Sequence, residues 1–514
     1  MEKQSLAVAD EAVQTETLPY SVFSNTQKKW IIFIAALAGW FSTASSFIYF
    51  PAIPFLGRDT GASTESINLT ITSYLIASGI FPSITGDAAD RYGRRPVFVV
   101  SLCAYALVNV GLAVQKSFAC LFVLRMIQSA TISGMIVQSC CMKKLSFLGT
   151  FSIAYGIISD LTTPNDRGGY TGFVSLLYEI FETFYSCYLL TLFHSLNTPP
   201  SIAPLISGLL LIRWSWPSIF WFLTIASATV LLAIMIFMPE TCRSIVGNGT
   251  LRPPLINQPP ISSLSPSIQR LETEQNPKMD LGLPNPLSVL SLLKNKATLV
   301  AVGCYSIYYT IYSCLQASLS TVFVETYNIS GRTAGLSYIP FGLACVASAF
   351  LAGKVIDRDF RKIAEARGMS IDQFLNNDIS MLPIEHARLR TNKYYVALCA
   401  PLIAGYGWAL ELKVHMSVPL IMQFFIGFTM QPLFTSLNTL LVDFHPDRSS
   451  SVQAANNLVR CELAAVGLAV LDIMLKALGP GWCFVIFAII HSLTLPTLWA
   501  LGRQGPKWRR RHEM

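Results

Sequence analysis

Charge is scarce in this sequence: 13% of its 514 residues are Asp, Glu, Lys or Arg, against 52% apolar residues, and the mean hydropathy is positive. That balance excludes an ordinary water-soluble globule. No basic start followed by a short apolar run opens the chain. Residues 1–29 are polar and acidic (Glu2, Asp10, Glu11, Glu16), so a cleavable signal peptide is not expected and the amino end should stay in the cytosol. The twelve cysteines are scattered through apolar segments with no CxxC pair, which argues against a zinc site and a disulfide framework. No phosphate loop, metal-ligand cluster or GxSxG sequence stands out, so neither an enzyme nor direct ATP-driven transport is expected, and no metal or cofactor. The formal charge of +8 is carried in short loops and in the tail Lys507, Arg509, Arg510 and Arg511. Basic residues that flank apolar runs read as topology signals, so no nucleic-acid partner is expected.

What remains is a series of apolar runs, near residues 30–50, 67–85, 96–114, 118–142, 145–161, 170–195, 201–212, 217–238, 297–318, 333–353, 393–411, 416–441, 453–475 and 480–501. About 20 such residues make a helix that crosses a bilayer. The expected fold is an all-α polytopic membrane protein with the lipid bilayer as its solvent. A Pro- and Ser-rich stretch, 241–295, reads as a cytoplasmic linker between two groups of runs, 30–240 and 296–502, with tails 1–29 and 503–514. Counting Lys and Arg puts Arg58, Lys116, Arg213, Arg332, Lys413 and Lys476 on one side and nearly all others on the opposite side. The excess marks the cytoplasm, so the spans are even in number and both ends are cytoplasmic.

Both groups place an Asp and an Arg at the end of a second span, in GDAADRYGRRP (86–96) and GKVIDRDFRK (353–362). Two parallel six-helix repeats give such a recurrence, with a substrate site between them near the midplane. The residues Gly86, Asp87, Asp90, Arg91, Gly93, Arg94 and Arg95 of the first copy resemble the signature loop of the major facilitator superfamily. The resemblance implies the major facilitator fold, two six-helix bundles with nominally twelve transmembrane helices, and a conformational latch at this loop. Its three arginines are expected to anchor the loop in the cytosol.

Arg125-Met126-Ile127-Gln128 resembles the second family motif, which implies a part in proton coupling for Arg125 and Gln128; a buried arginine must face the bundle interior or a wet cavity. Ala203-Pro204-Leu205-Ile206-Ser207-Gly208 is similar to the fifth-span antiporter motif, with Ala203 and Ser207 where glycine is usual, and implies close helix packing at Pro204 and Gly208. Pro239-Glu240-Thr241-Cys242-Arg243, Pro383-Ile384-Glu385-His386-Ala387-Arg388 and Ala454-Ala455-Asn456-Asn457-Leu458-Val459-Arg460-Cys461 resemble signatures of the fungal twelve-span drug:proton antiporters, the quinidine-resistance-like branch. The resemblance implies efflux of small organic compounds against inward proton flow, in a multi-pass protein of the plasma membrane that acts as a monomer.

The pattern is interrupted at about 135–151 and 178–196, where the family runs through single helices. Removing both segments restores one fourth and one fifth span. If they are retained, Lys143, Lys144, Glu179 and Glu182 enter spans at about 2.5–3.5 kcal/mol each when central, and an inactive product is an alternative.

Proton coupling needs a titrating group in the pathway, and the first span contains no acid. Asp90 with Arg125 comes first, then Arg460, Glu462 and Asp472 of the eleventh span; structural pairing inside the bundle is the alternative reading of Glu462 and Asp472. Tyr305, Tyr308, Tyr309 and Tyr312 follow i, i+3, i+4, i+7 spacing, with Gln316 a turn beyond, as an aromatic wall suited to flat or cationic cargo. Asn456 and Asn457 can contact substrate or bridge helices. Asn328-Ile329-Ser330 is a glycosylation sequon. Two other functions stay open: nutrient uptake, although PETCR differs from the PESPR-like sugar-porter sequence, and a non-transporting membrane sensor.

Overall fold

The computed structural model describes residues 22–133, 199–246, 257–258, 291–329, 335–345, 347–348, 351, 355, 358–359, 384–445 and 449–513. Both anomalous segments, about 135–151 and 178–196, fall outside the described residues, as does most of the second GKVIDRDFRK copy.

The described chain is helical, and each apolar run within it becomes a helix: α1 Asn25–Phe47, α2 Ile53–Thr60, α3 Thr64–Tyr92, α4 Arg94–Val114, α5 Phe118–Ser133, α6 Pro199–Arg213, α7 Pro217–Phe237, the single turn α8 Arg243–Val246, α9 Lys296–Tyr327, the short α10 Ile384–Leu389, α11 Asn392–Glu411, α12 Ser417–Phe444 and α13 Ser449–Glu513. Local chemistry sets several boundaries. Ser24 and Gln27 close a capping box, Ser24 Oγ accepting the Gln27 amide at 3.3 Å and Gln27 Oε1 the Ser24 amide at 3.0 Å. Pro217 occupies the first position of α7, and Asn295 Oδ1 caps α9 through the Ala297 amide at 2.9 Å. Gly479, with φ +74°, breaks α13 into two limbs. Its hairpin is held by Glu411, whose carboxylate accepts the Gly481 amide at 3.3 Å.

Six helices among the described residues are long and apolar enough to cross a membrane, and Phe118–Ser133, Ser66–Phe81 and Gly335–Cys345 are shorter apolar segments. Large apolar side chains such as Leu107, Ile225, Leu232, Val466, Ile473 and Leu493 point outward. That would be costly in water and is the expected surface of a protein solvated by lipid.

Helix direction alternates, so the turns fall at two ends. At one end lie residues 92–95, 237–246 and 444–445; here Arg388 Nε pairs with Asp443 Oδ2 at 3.0 Å. At the other, Trp216 Nε1 donates to Asp59 Oδ2 at 2.7 Å and Tyr327 hydroxyl to the Val414 carbonyl at 2.7 Å. α3 packs along α13, α4 along α7, and α9 against α13. The helices before and after 241–295 therefore meet chiefly where α3 crosses the first limb of α13 and where α6 meets the 3₁₀ turn Gly335–Tyr338.

Candidate substrate and coupling site

α5 carries Arg125 into the interior with no solvent exposure. The planar guanidinium is sandwiched between two tyrosines, 4.2 Å from the Tyr49 ring centroid and 4.3 Å from that of Tyr74. Its Nη1 donates to the Ser45 carbonyl at 3.1 Å and to Gln128 Oε1 at 2.7 Å. Gln128 Nε2 in turn donates to Asn109 Oδ1 at 2.6 Å, and the Ser45 and Tyr105 hydroxyls lie 2.5 Å apart. Arg125 and Gln128 are thus brought together, as their three-residue spacing on a helix allows. Among the described residues, Nε and Nη2 of Arg125 have no hydrogen-bond partner.

α13 supplies the second arginine. Arg460 lies 4.8 Å from the Tyr309 ring centroid; its Nε and Nη2 reach Asn457 Oδ1 at 3.0 and 2.8 Å and its Nη1 the Tyr305 hydroxyl at 3.4 Å. Asn457 then crosses to the other group of helices, donating Nδ2 to the Ser78 carbonyl at 2.6 Å. Ser133 of α5 donates to Ser78 Oγ at 3.2 Å, and Ser129 to the Tyr74 carbonyl at 2.6 Å. Tyr74 and Ser78 are one turn apart on α3, so a single turn of that helix joins the surroundings of both arginines.

Glu462 follows on α13, part-exposed, with its Oε1 buried and without a hydrogen-bond partner among the described residues. A Cβ at Gly79 would come within 2.8 Å of that oxygen, so the glycine makes room for the carboxyl where α3 and α13 cross. Asp472 lies toward the Lys413 end of the molecule and accepts from Asn68 Nδ2 at 3.2 Å. Asn456 is buried with Oδ1 unpartnered.

The aromatic stripe on α9 divides. Tyr305, Tyr309 and Tyr312 face α12 and the crossing, with Tyr312 5.5 Å from Phe47, 5.3 Å from Phe341 and 5.9 Å from Phe434 between ring centroids. Tyr308 turns instead toward the second limb of α13, its hydroxyl 2.6 Å from Thr494 Oγ1 and its ring beside His491. Among the described residues, the two amide atoms of buried Gln316 and the Tyr312 hydroxyl lack hydrogen-bond partners. Sequence reasoning missed Tyr49, Tyr74, Tyr105, Phe47, Phe341 and Phe434.

In the segment expected to act as a latch, α3 runs as helix through Gly86, Asp87, Asp90 and Arg91 to Tyr92; their side chains lie outside the described residues. Gly93, φ +104°, starts α4, so Arg94 and Arg95 open a helix and are buried, rather than anchoring a loop in water. The reason is Glu240. Its carboxylate accepts the amides of Arg94 at 2.8 Å, Arg95 at 3.3 Å, Thr241 at 3.0 Å and Cys242 at 3.0 Å, and Asn257 Nδ2 at 3.0 Å. A carboxylate at a helix N-terminus is favoured by the unpaired amides and the helix dipole. Burial pushes the Glu240 carboxyl above the usual range, against the downward pull of those amides. Arg95 Nη2 donates to the Met235 carbonyl at 2.8 Å, tying α4 to α7.

Pro204 and Gly208 are buried within α6, and Gly208 touches Gly335 backbone to backbone, with no space for a Cβ on either. Asn328 caps α9 in the left-handed conformation and is exposed; Ser330 of its sequon lies outside the described residues.

The family model of the Major Facilitator Superfamily matches residues 35–468. The chain is 35% identical over 506 residues to the MFS-type transporter phiD of a fungal species, covering 97% of this chain and 71% of that one. It is 32% identical over 510 residues to citrate exporter 1 of Aspergillus niger, covering 98% and 91%. In fold it resembles the human organic anion transporter MFSD10 (TETRAN), with a TM-score of 0.60 at 15% identity, covering 92% of this chain and 99% of that one.

Proposed function

Since the chain belongs to the major facilitator superfamily, whose members carry small substrates across membranes, we propose that it exports small organic compounds in exchange for protons. Two halves, 30–240 and 296–502, rock about a midplane site and expose it alternately to either face. The linker 241–295 and both termini lie in the cytoplasm, and the protein acts as a monomer in the plasma membrane. The name of its Aspergillus niger relative, citrate exporter 1, supports outward movement of a metabolite.

The observation that carries this reading is the crossing of α3 and α13, where Glu462 keeps an unpartnered oxygen against Gly79 while Asn457 bonds Ser78 across the halves. A carboxyl that gains a proton at this seam changes charge where the halves must part, so protonation and rocking are coupled through one contact. Arg460, two residues away, responds to that charge; Arg125 and Gln128 hold the matching polar set in the amino-terminal half. Asp472 with Asn68 gives protons a polar step from the outer end. Asp87, Asp90 and Arg91, with the Gly93–Arg95 helix start locked by Glu240, form the latch at the cytoplasmic end.

Efflux of a panel of drugs and metabolites from cells with and without the protein tests the reading, before and after the proton gradient is collapsed. Gradient-dependent export is expected. Export that persists unchanged after collapse rejects proton coupling, and accumulation instead of export rejects the direction.

A further inference from the structure

An arginine has five N–H donors, and a carboxylate matches two of its edges, one of them formed by Nε and Nη2. In Arg125 the Nη1 donors are taken by Ser45 and Gln128, while the Nε/Nη2 edge is unpartnered on a side chain with no solvent exposure. Buried donors are nearly always matched, and an unmatched cationic edge is costly enough to need an explanation. Two residues from Tyr49, which covers one face of that guanidinium, Phe47 of the same chain turn contacts Tyr312, and Tyr312 meets Phe341 and Phe434. The stretch Phe47–Tyr49 therefore links the arginine's surroundings to an aromatic cluster that spans the seam between the halves.

Resting on the exporter reading above, we propose that the cargo is an organic acid, its carboxylate seated on the Nε/Nη2 edge of Arg125 and its apolar or aromatic body among Phe47, Tyr312, Phe341 and Phe434. The sign of the interior favours an anion. Arg125 and Arg460 both project into it, and each already covers a tyrosine face that a cationic cargo would need. Glu462, two residues from Arg460, directs an oxygen at Gly79 instead. A neutral or cationic compound leaves the guanidinium edge unmatched in the closed state, whereas a carboxylate satisfies both donors at once. The Tyr312 hydroxyl, itself unpartnered, offers the second oxygen or a polar substituent a donor.

The test uses the purified full-length protein and three probes of one shape: 2-naphthoate, 2-naphthamide and 2-naphthylmethylammonium. Binding is read from the shift of the thermal unfolding midpoint with concentration. Naphthoate is expected to bind about ten- to a hundredfold more tightly than either analogue, the difference that charge-assisted hydrogen bonds supply. Arg125→Gln should reduce naphthoate to the level of the amide, and Phe341→Ala should weaken all three probes together. Equal or tighter binding of the amide or ammonium, no binding of any probe, or an unchanged preference in Arg125→Gln overturns the proposal. If Arg125→Gln does not fold, the comparison of the three probes on the unaltered protein still decides. Proteoliposomes with an imposed pH gradient separate the two readings. Naphthoate that binds but is not driven by protons defeats proton-coupled export and leaves the seat; proton-driven ammonium transport without naphthoate binding defeats the seat and leaves export.

Discussion

Glu240 accepts the backbone amide of Arg94 at 2.8 Å, so the segment just beyond the sixth span caps the start of the third across 146 residues of sequence. The cap converts a basic loop into a helix start that cannot move without breaking several hydrogen bonds at once.

Replacing Glu240 by Ala should cost about 2–4 kcal/mol, because four amides and Asn257 lose a buried acceptor. The apparent melting temperature in detergent measures it. The pH dependence has a definite sign. Since burial holds the folded-state value above the ordinary carboxylate range, the contribution of this group is full in acid and declines as pH rises through the raised value. Glu240→Gln should lack that decline; a parallel pH profile for variant and parent would contradict it.

Gly93 has φ +104°, and a Cβ there would collide with the Glu240 carboxylate. Gly93→Ala is expected to lose transport at least tenfold while still inserting, since both the backbone conformation and the cap are lost. Normal efflux by this variant would remove the latch from the mechanism.

Asn457 holds Arg460 with one end of its amide and the Ser78 carbonyl with the other. Asn457→Leu should lower transport by about one to two orders of magnitude, from loss of hydrogen bonds worth about 1–3 kcal/mol. Steady-state efflux together with surface abundance separates this effect from misfolding.

Glu462→Gln retains the shape of the seam but not its titration. Exchange of cargo down its own gradient should continue, while acceleration by an imposed proton gradient disappears. A variant still driven by protons would assign coupling elsewhere, with Asp472 the next residue to replace.

The helices were legible because a span needs a long apolar run and hairpins need breakers; the run ending at 475 and the next from 480 meet at Gly479, where the chain does turn. Arg125 and Gln128 were legible as a pair because a three-residue spacing stacks them on one helix face. The aromatic wall was only partly so. Consecutive residues on a helix lie about 100° apart, so Tyr308 and Tyr309 cannot share one narrow face; Tyr309 turns to Arg460 and Tyr308 to Thr494. Tyr49, Tyr74 and Tyr105 carry no sequence signal. They are ordinary aromatics within apolar runs, and the contacts of Tyr49 and Tyr74 with Arg125 and of Tyr105 with Ser45 arise only when separate helices pack. The same holds for Glu240: its motif drew attention, but its partners lie in another span.

The contact between Gly208 and Gly335 joins two bare backbones. A seal of this kind contains no rotamers, so it cannot loosen by degrees. With no side chain between the two backbones, the contact is either seated or parted. Under the proton-coupled export proposed above, such a contact would help keep the gradient from draining when no cargo is moved.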